Sequence, residues 1–313
     1  MQNTDTKMKS RMNPSVLVAI KRSKWERDII HYGSEDAVKK IYILQNNGYE
    51  RIHSSHIRQL QARDALKQAL GNAEYIYREE LTRVNFSDYD LVITLGGDNH
   101  FVHVSQFIKD TPVAGINSDP ETSSGVLLHF TIDSFINQIK TGINLNNLEI
   151  DYWTGIEGEL HFPDGQIVKT GRALSEISIR NSFAEHMSRY ILSTDKITEE
   201  QKCSGLLLAT GTGSTGWFSN CVPESEIKHC TFKKDADFFR FTARERSGGK
   251  KYKLHYGEIK KGETLQLMSE MDGMLCLDSD IRRVFNLPPG CRAILKVCEE
   301  KLPVVINIKQ TAQ

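Results

Sequence analysis

Leu91-Val92-Ile93-Thr94-Leu95-Gly96-Gly97-Asp98-Asn99-His100 is the stretch on which the reading of this chain turns. Leu91 to Leu95 is a run of apolar and β-branched residues, the character of a strand buried on both faces. Two glycines end it, an acid follows, and a helix is expected from about Phe101 to Ile108. Gly96 and Gly97 let the backbone turn sharply and a ligand come close, because no Cβ intrudes. Amides at the start of the next helix can hold phosphate oxygens. Asp98 would then stand at the carboxyl end of a parallel sheet, where open α/β folds place their ligands. A carboxylate repels phosphate, so Asp98 makes sense as acceptor of a hydroxyl proton or as a ligand of Mg²⁺. The plainer alternative is a tight turn with an Asp N-cap.

Upstream, Val16 to Ile20 is another apolar run, followed by a helix over Ser34 to Gln45, with Ser34 as N-cap, closed by Asn47-Gly48. Ile57 to Leu70 reads as a helix, Val113 to Ile116 as a strand, and Thr131 to Thr141 as a further helix. Strands alternating with helices predict a parallel sheet covered on both faces, a Rossmann-like α/β domain over residues 1–145. After Leu145 the pattern changes to short strands and turns. Pro163-Asp164-Gly165 reads as a hairpin turn, and Ala173 to Arg180, Arg189 to Ser193, Ile294 to Val297 and Val304 to Ile308 as strands. Residues 146–313 are expected to form an antiparallel β-sandwich. The fold class is α/β plus all-β, with a ligand expected in the cleft where the two meet.

A second glycine-rich segment lies in the later half. Gly205 to Ala209 is strand-like, and Thr210-Gly211-Thr212-Gly213-Ser214-Thr215-Gly216-Trp217 follows, with a helix expected after it. Such a loop offers amides and hydroxyls to phosphates or sugar hydroxyls. It lacks the lysine of a P-loop, so it is not a Walker A motif. A flexible loop with a capped helix is the alternative.

Composition narrows the field. Forty Lys and Arg cancel forty Asp and Glu, so no global positive field gathers nucleic acid or anionic lipid. No apolar run approaches the ~20 residues that cross a bilayer. Met1 to Pro14 is polar and does not read as a secretory signal. The six cysteines form no C-x-x-C pair, which fits reduced thiols and a cytoplasmic protein.

Together the two glycine segments resemble the NAD kinase family, and within it the mitochondrial-type and plant NADH-kinase branch. The family carries G-G-D-G-T after a strand, then an Asn-Glu dipeptide, then a T-P-T-G-S-T-A-Y-type loop. Gly96-Gly97-Asp98-Asn99-His100 stands at the first, Ser175-Glu176 at the second and Thr210 to Trp217 at the third. Asn117-Ser118-Asp119-Pro120 resembles the branch's N-S/T-D-P segment, Arg240 to Glu245 its R-W-x-A-R-E stretch, and Leu277-Asp278 stands near a late Asp-Gly. The similarity runs in order from Val16 to Ile308.

The resemblance implies phosphoryl transfer from ATP, or another phosphate donor, to the adenosine-ribose 2′-hydroxyl of NAD or NADH. It implies Asp98 as general base, Gly96, Gly97, Asn99 and His100 at the donor phosphates, and Mg²⁺ or another divalent cation with ATP. Asn117, Ser175, Glu176, Arg189, Ser204, Thr215, Gly216, Trp217 and Asn220 would complete the nucleotide contacts. Small-molecule nucleotides are the expected partners, and a homodimer or homotetramer the expected assembly. The sequence departs from the family at Asn99-His100, Ser175, Gly211, Gly216 and Trp217. His100 can donate to a phosphate or crowd it; an NAD(P)-binding protein without turnover is therefore the second reading. A lipid kinase with a G-G-D-G turn is the third. Lys21-Arg22 is read either as a phosphate-facing pair or as a solvated one; Arg240 and Arg244 as ligand contacts or ion pairs. Asp119 is read as a turn cap with Pro120 or as part of the cleft, and Lys250-Lys251 as exposed loop charge.

Overall fold

The computed structural model describes residues 14–45, 48–246 and 252–309. Asn47, Met1 to Met12 and the Lys250-Lys251 pair lie outside them. The described chain divides into two compact units. The first comprises the residues up to Phe101, Thr111–Ile150 and those from Val305; the second is Val102–Asp110 with Asp151–Val304. The expected break lies at residue 145; the units interleave, with divisions at 101, 110, 150 and 304. The sequence did not expose the return of the last strand to the first unit, or the loan of 102–110 to the second.

The first unit begins with β1 (Val16–Ile20), α1 (Lys24–Tyr32), α2 (Glu35–Leu44), α3 (Tyr49–Ala69) and β2 (Glu74–Tyr77). It continues through β3 (Leu91–Gly96), α4 (Asp98–Ser105), β4 (Val113–Asn117), β5 (Phe130–Thr131), α5 (Ile132–Gln138) and β6 (Leu148–Trp153). β1 pairs in parallel with β2 and β3, β3 with β4, and β4 with β5. All of β1, β3 and β4 is buried, which is why each reads as an unbroken apolar run. The core gathers Val18, Ile93, Ile116, Leu66, Phe135 and Val305.

The second unit holds β7 (Ile156–His161), β8 (Ile167–Lys169), β9 (Glu176–Asn181), β10 (Ser188–Ser193), β11 (Thr198–Cys203) and β12 (Gly205–Ala209). β13 (Phe238–Arg244), β14 (Tyr256–Lys260), β15 (Leu265–Ser269), β16 (Gly273–Leu277), β17 (Val284–Leu287) and β18 (Arg292–Val297) follow, and the chain then passes into β19 (Leu302–Ile308), which returns to the first unit from Val305. Two six-stranded sheets run β11-β10-β15-β18-β7-β8 and β14-β13-β12-β9-β16-β17, antiparallel throughout. They share one core: Tyr190, Leu192, Leu267 and Leu295 from the first meet Ile177, Leu206, Phe241 and Leu275 from the second. This is the expected sandwich. The outer face of β12 is covered too, because Leu207 and Ala209 pack on Phe218, Val222 and Cys230. β19 belongs instead to the seven-stranded sheet, between β4 and β6, and not to the sandwich. No helix among the described residues is long and apolar enough to cross a membrane.

Candidate active site

β3 delivers its last residue, Gly96, to a turn that opens α4 at Asp98. Asp98 is half-buried, and each carboxylate oxygen accepts one backbone N–H: Oδ1 from Leu127 at 3.0 Å and Oδ2 from Val126 at 3.1 Å. A carboxylate has about four lone pairs, so two remain for a hydroxyl or an ion. The donors come from the segment after β4, which Asn117 organises. Its Nδ2 donates to the Ser123 carbonyl at 2.8 Å and its Oδ1 accepts from the Asp119 N–H at 3.1 Å. Asn117 is thus a buried brace of the loop that holds Asp98.

His100 is where the structure departs from the family-based expectation. It is 1% exposed, and its Nε2 lies 3.0 Å from the Ala19 carbonyl in β1. Its ring folds back beneath the turn, so a Cβ at Gly96 would meet it at 2.8 Å. Gly96 is needed here to seat an imidazole, and the buried His100 ring is turned toward β1. Asn99 is exposed in the helix with no left-handed backbone. Gly97 stays open: the atoms nearest a Cβ there would be Ser123 Oγ at 3.5 Å and Lys21 Nζ at 3.7 Å.

That lysine separates from its neighbour. Arg22 bonds Glu79 at 2.6 Å and stacks on Tyr77. Lys21 has no ion pair among the described residues. Burial lowers its pKa, and repulsion by Arg27 and Arg78 adds to this, with Asp119 and Asp98 opposing. Asp119 is not a free cleft acid. Burial works against its charge, but hydrogen bonds from Arg58 (2.7 Å), Ser55 and Thr122 outweigh that and hold its carboxyl below the ordinary value.

In the second unit, Ser175 and Glu176 enter β9 from a turn fixed by a residue far away in sequence. Asp278 Oδ1 accepts from the Ser175 N–H at 2.7 Å and the Glu176 N–H at 3.3 Å; Oδ2 accepts from Leu174 at 3.2 Å and from Arg283 at 2.7 Å. Burial, with the Asp278 charge next, pushes Glu176 up to about 7; a hydrogen bond from Ser279 Oγ (2.8 Å) opposes the rise. The glycine loop packs against the same turn. Thr210 Oγ1 donates to the Leu174 carbonyl at 2.6 Å, and the Thr210 N–H to the Ser175 carbonyl at 3.0 Å. A Cβ at Gly213 would stand 2.3 Å from the Ser175 oxygen, so this glycine is there for backbone passage.

The loop's other hydroxyls differ in what they do. Ser214 Oγ donates to the Gly211 carbonyl, while the Thr212 hydroxyl is buried with no partner among the described residues and Thr215 is exposed. Gly216 and Asn220 are exposed as well, and the expected helix is only a single 3₁₀ turn, Trp217–Asn220. Trp217 lies under the Arg244 guanidinium at 4.8 Å, which donates to the Ser204 carbonyl at 3.1 Å. Arg240 pairs with Glu258 at 3.3 Å.

The structure does not bring Arg189 to Ser175-Glu176. Arg189 lines a cavity of about 560 Å³ with Asn181, Lys202 and Glu270. Asn181 ends β9 and Glu176 begins it, five residues apart, about 17 Å along a strand. Ser204 also lies toward the Asn181 end, since Ala209, at the other end of β12, pairs with Glu176. Lys21, Ser123, Asp278, Ser279 and Arg283 were the residues to add. Lys21 was visible as a basic residue after a strand and Asp278 as part of the late Asp-Gly resemblance, but the hold of Asp278 and Ser279 on Ser175-Glu176 spans about a hundred residues and had no local signal.

A parallel-sheet unit with a Gly-Gly-Asp turn at a strand's carboxyl end, together with a twelve-strand antiparallel sandwich, is the fold of the NAD kinases. An NAD kinase from Archaeoglobus fulgidus solved in complex with ATP matches it with a TM-score of 0.59 over 93% of this chain and 93% of that one, at 16% identity. Yeast NADH kinase complexed with NADH matches with a TM-score of 0.61 over 94% of this chain and 84% of that one, at 14% identity. In sequence the chain resembles the same family: it is 26% identical over 254 residues to mitochondrial NAD kinase 2 of Rattus norvegicus, covering 66% of this chain and 59% of the relative. The chain thus spans about three fifths of that curated relative's length. No family model matches it.

Proposed function

We propose that this protein is an NAD(H) kinase, transferring a phosphoryl group from ATP or another phosphate donor to the adenosine-ribose 2′-hydroxyl of NAD or NADH. The observation that carries the reading is the Asp98 carboxylate, tethered by two backbone N–H groups at the carboxyl end of β3 with lone pairs to spare. The tether fixes its direction, so Asp98 orients the attacking hydroxyl and takes its proton late. Orientation and proton acceptance of this kind are worth ~10²–10⁴-fold. Lys21 would face the donor phosphates beside Gly97, and Ser175, Glu176 and Thr215 would contact the dinucleotide. Inward burial of His100 supports turnover, because the residue that motivated a non-catalytic reading is occupied elsewhere.

Mg²⁺ belongs to the same proposal. Such an ion needs one or two protein carboxylates beside substrate phosphates, and the Asp98 carboxylate, with one lone pair left after two backbone N–H groups and the attacking hydroxyl, fits that demand. When bound it would offset charge on the transferring phosphoryl group. The cytoplasmic location and the homodimeric or homotetrameric assembly are read from cysteine usage and the family resemblance; fractionation and light scattering test them.

The deciding experiment incubates the purified protein with Mg²⁺, ATP or polyphosphate, and NAD or NADH, and measures NADP(H). Product is expected, and Asp98→Asn is expected to lower kcat ~10²–10⁴-fold while still binding dinucleotide. Tight NAD binding without product from either donor would replace this reading with the non-catalytic one.

A further inference from the structure

The turn after β16 invests its side chains in a different segment. Asp278 could have closed its own turn; instead its carboxylate takes three successive N–H groups, from Leu174, Ser175 and Glu176. Its own N–H donates to the Glu176 carbonyl at 2.8 Å. One residue therefore pins Glu176 at both backbone groups. Arg283 neutralises the buried carboxylate at 2.7 Å and reaches on to the Arg172 carbonyl at 2.6 Å. Next along, Ser279 turns its hydroxyl to Glu176 Oε1 at 2.8 Å. Both Asp278 and Ser279 hold φ of 53°. Left-handed backbone is uncommon in residues other than glycine, and persists only when the surroundings over-determine it.

We propose that Asp278 and Ser279 are positioning residues for the dinucleotide: Asp278 sets the backbone of the Ser175-Glu176 turn, and the Ser279 hydroxyl aims the Glu176 carboxyl at the ligand. The proposal rests on the kinase reading. Its logic is a cost that the ligand relieves. Two acids stand together in a buried setting, and burial followed by mutual repulsion raises Glu176 to about 7. A hydroxyl or amino group of a bound nucleotide, donating to Glu176, supplies what one serine alone does not. The groups that face Glu176 are Asp278, with Arg283 behind it, Ser279, and the Cys276 thiol of β16. The same clamp extends to the glycine loop, because Thr210 hangs from the carbonyls of Leu174 and Ser175.

The test is NAD affinity by calorimetry across neutral pH, with kcat, KM and Tm alongside. Ser279→Ala should weaken NAD binding about tenfold, raise KM for NAD more than it lowers kcat, and move the pH midpoint of binding upward, since a donor to the ionised carboxylate is lost. Ser279→Gly should weaken binding equally while raising Tm, because the left-handed position is relieved. Asp278→Asn should move the midpoint downward, a neighbouring negative charge having gone, and raise KM for NAD more than it lowers kcat. A purely structural turn would change Tm without moving either midpoint. NAD affinity and midpoint unchanged in both Ser279 variants would overturn the proposal while leaving the kinase reading intact. A wild type that binds no NAD would overturn both. The Ser279 variants carry the test whether or not the fold tolerates Asp278→Asn.

Discussion

Lys21 and Arg22 are adjacent in sequence and opposite in circumstance. Arg22 is committed to Glu79 and the Tyr77 ring. Lys21 is an ammonium held without an ion pair among the described residues, disfavoured first by burial and then by Arg27 and Arg78. A charge kept at such a cost is what an anionic ligand would offset, and stability is the usual loss where a site is preorganised. Lys21→Met is therefore expected to raise the KM for ATP about tenfold, leave the KM for NAD unchanged, and raise Tm. Initial rates and a thermal melt check it; an unaltered KM for ATP would remove Lys21 from the phosphate seat. Sequence could not separate the pair, since what distinguishes them is the company each keeps in the fold.

At the scale of elements, the loop after β4 rests on one acid. Asp119 is joined to α3 through Ser55 and Arg58, and its folded pKa lies below the ordinary 3.8. The sign follows directly. Its contribution is whole above the unfolded pKa and is lost as pH falls from about 3.8 through the lower folded value. Arg58→Met should cost about 1–3 kcal/mol at neutral pH and flatten the acid limb of a stability–pH curve, measured by urea titration at several pH values. An unchanged acid limb would show that the ion pair does not brace the loop. The same scale shows how much was legible. β3 was plain from its apolar run, and α2 from its Ser34 cap, which accepts from the Ala37 N–H. α1 was missed although Ser23 and Glu26 form a capping box that the spacing S-x-x-E announces. β2, half-exposed at the edge of its sheet, has little apolar signal. The helix expected after the second glycine loop stops at one turn, where Gly216 precedes it and Pro223 follows. Asp98 was legible because its chemistry sits in one short motif; the Asp278 clamp was not, because its partners lie about a hundred residues away.

At the scale of the molecule, the last strand matters more than its length suggests. Val305 is fully buried in the core of the first unit, on a strand between β4 and β6. Val305→Ala removes two methyl groups from a packed site and should cost about 2 kcal/mol, seen as a lower urea midpoint at constant m value. A shift no larger than that of an exposed position would place β19 at the margin of the fold. The interleaving that puts Val305 there, with 102–110 given to one unit and the final strand to the other, has a genetic corollary. Neither unit is a contiguous stretch of coding sequence, so a single crossover between two homologous genes near codon 150 would graft one parent's closing strand into the other parent's sheet. Recombinants survive such an exchange most readily when the stretches coding for the first unit, before residue 102 and after residue 304, are inherited together.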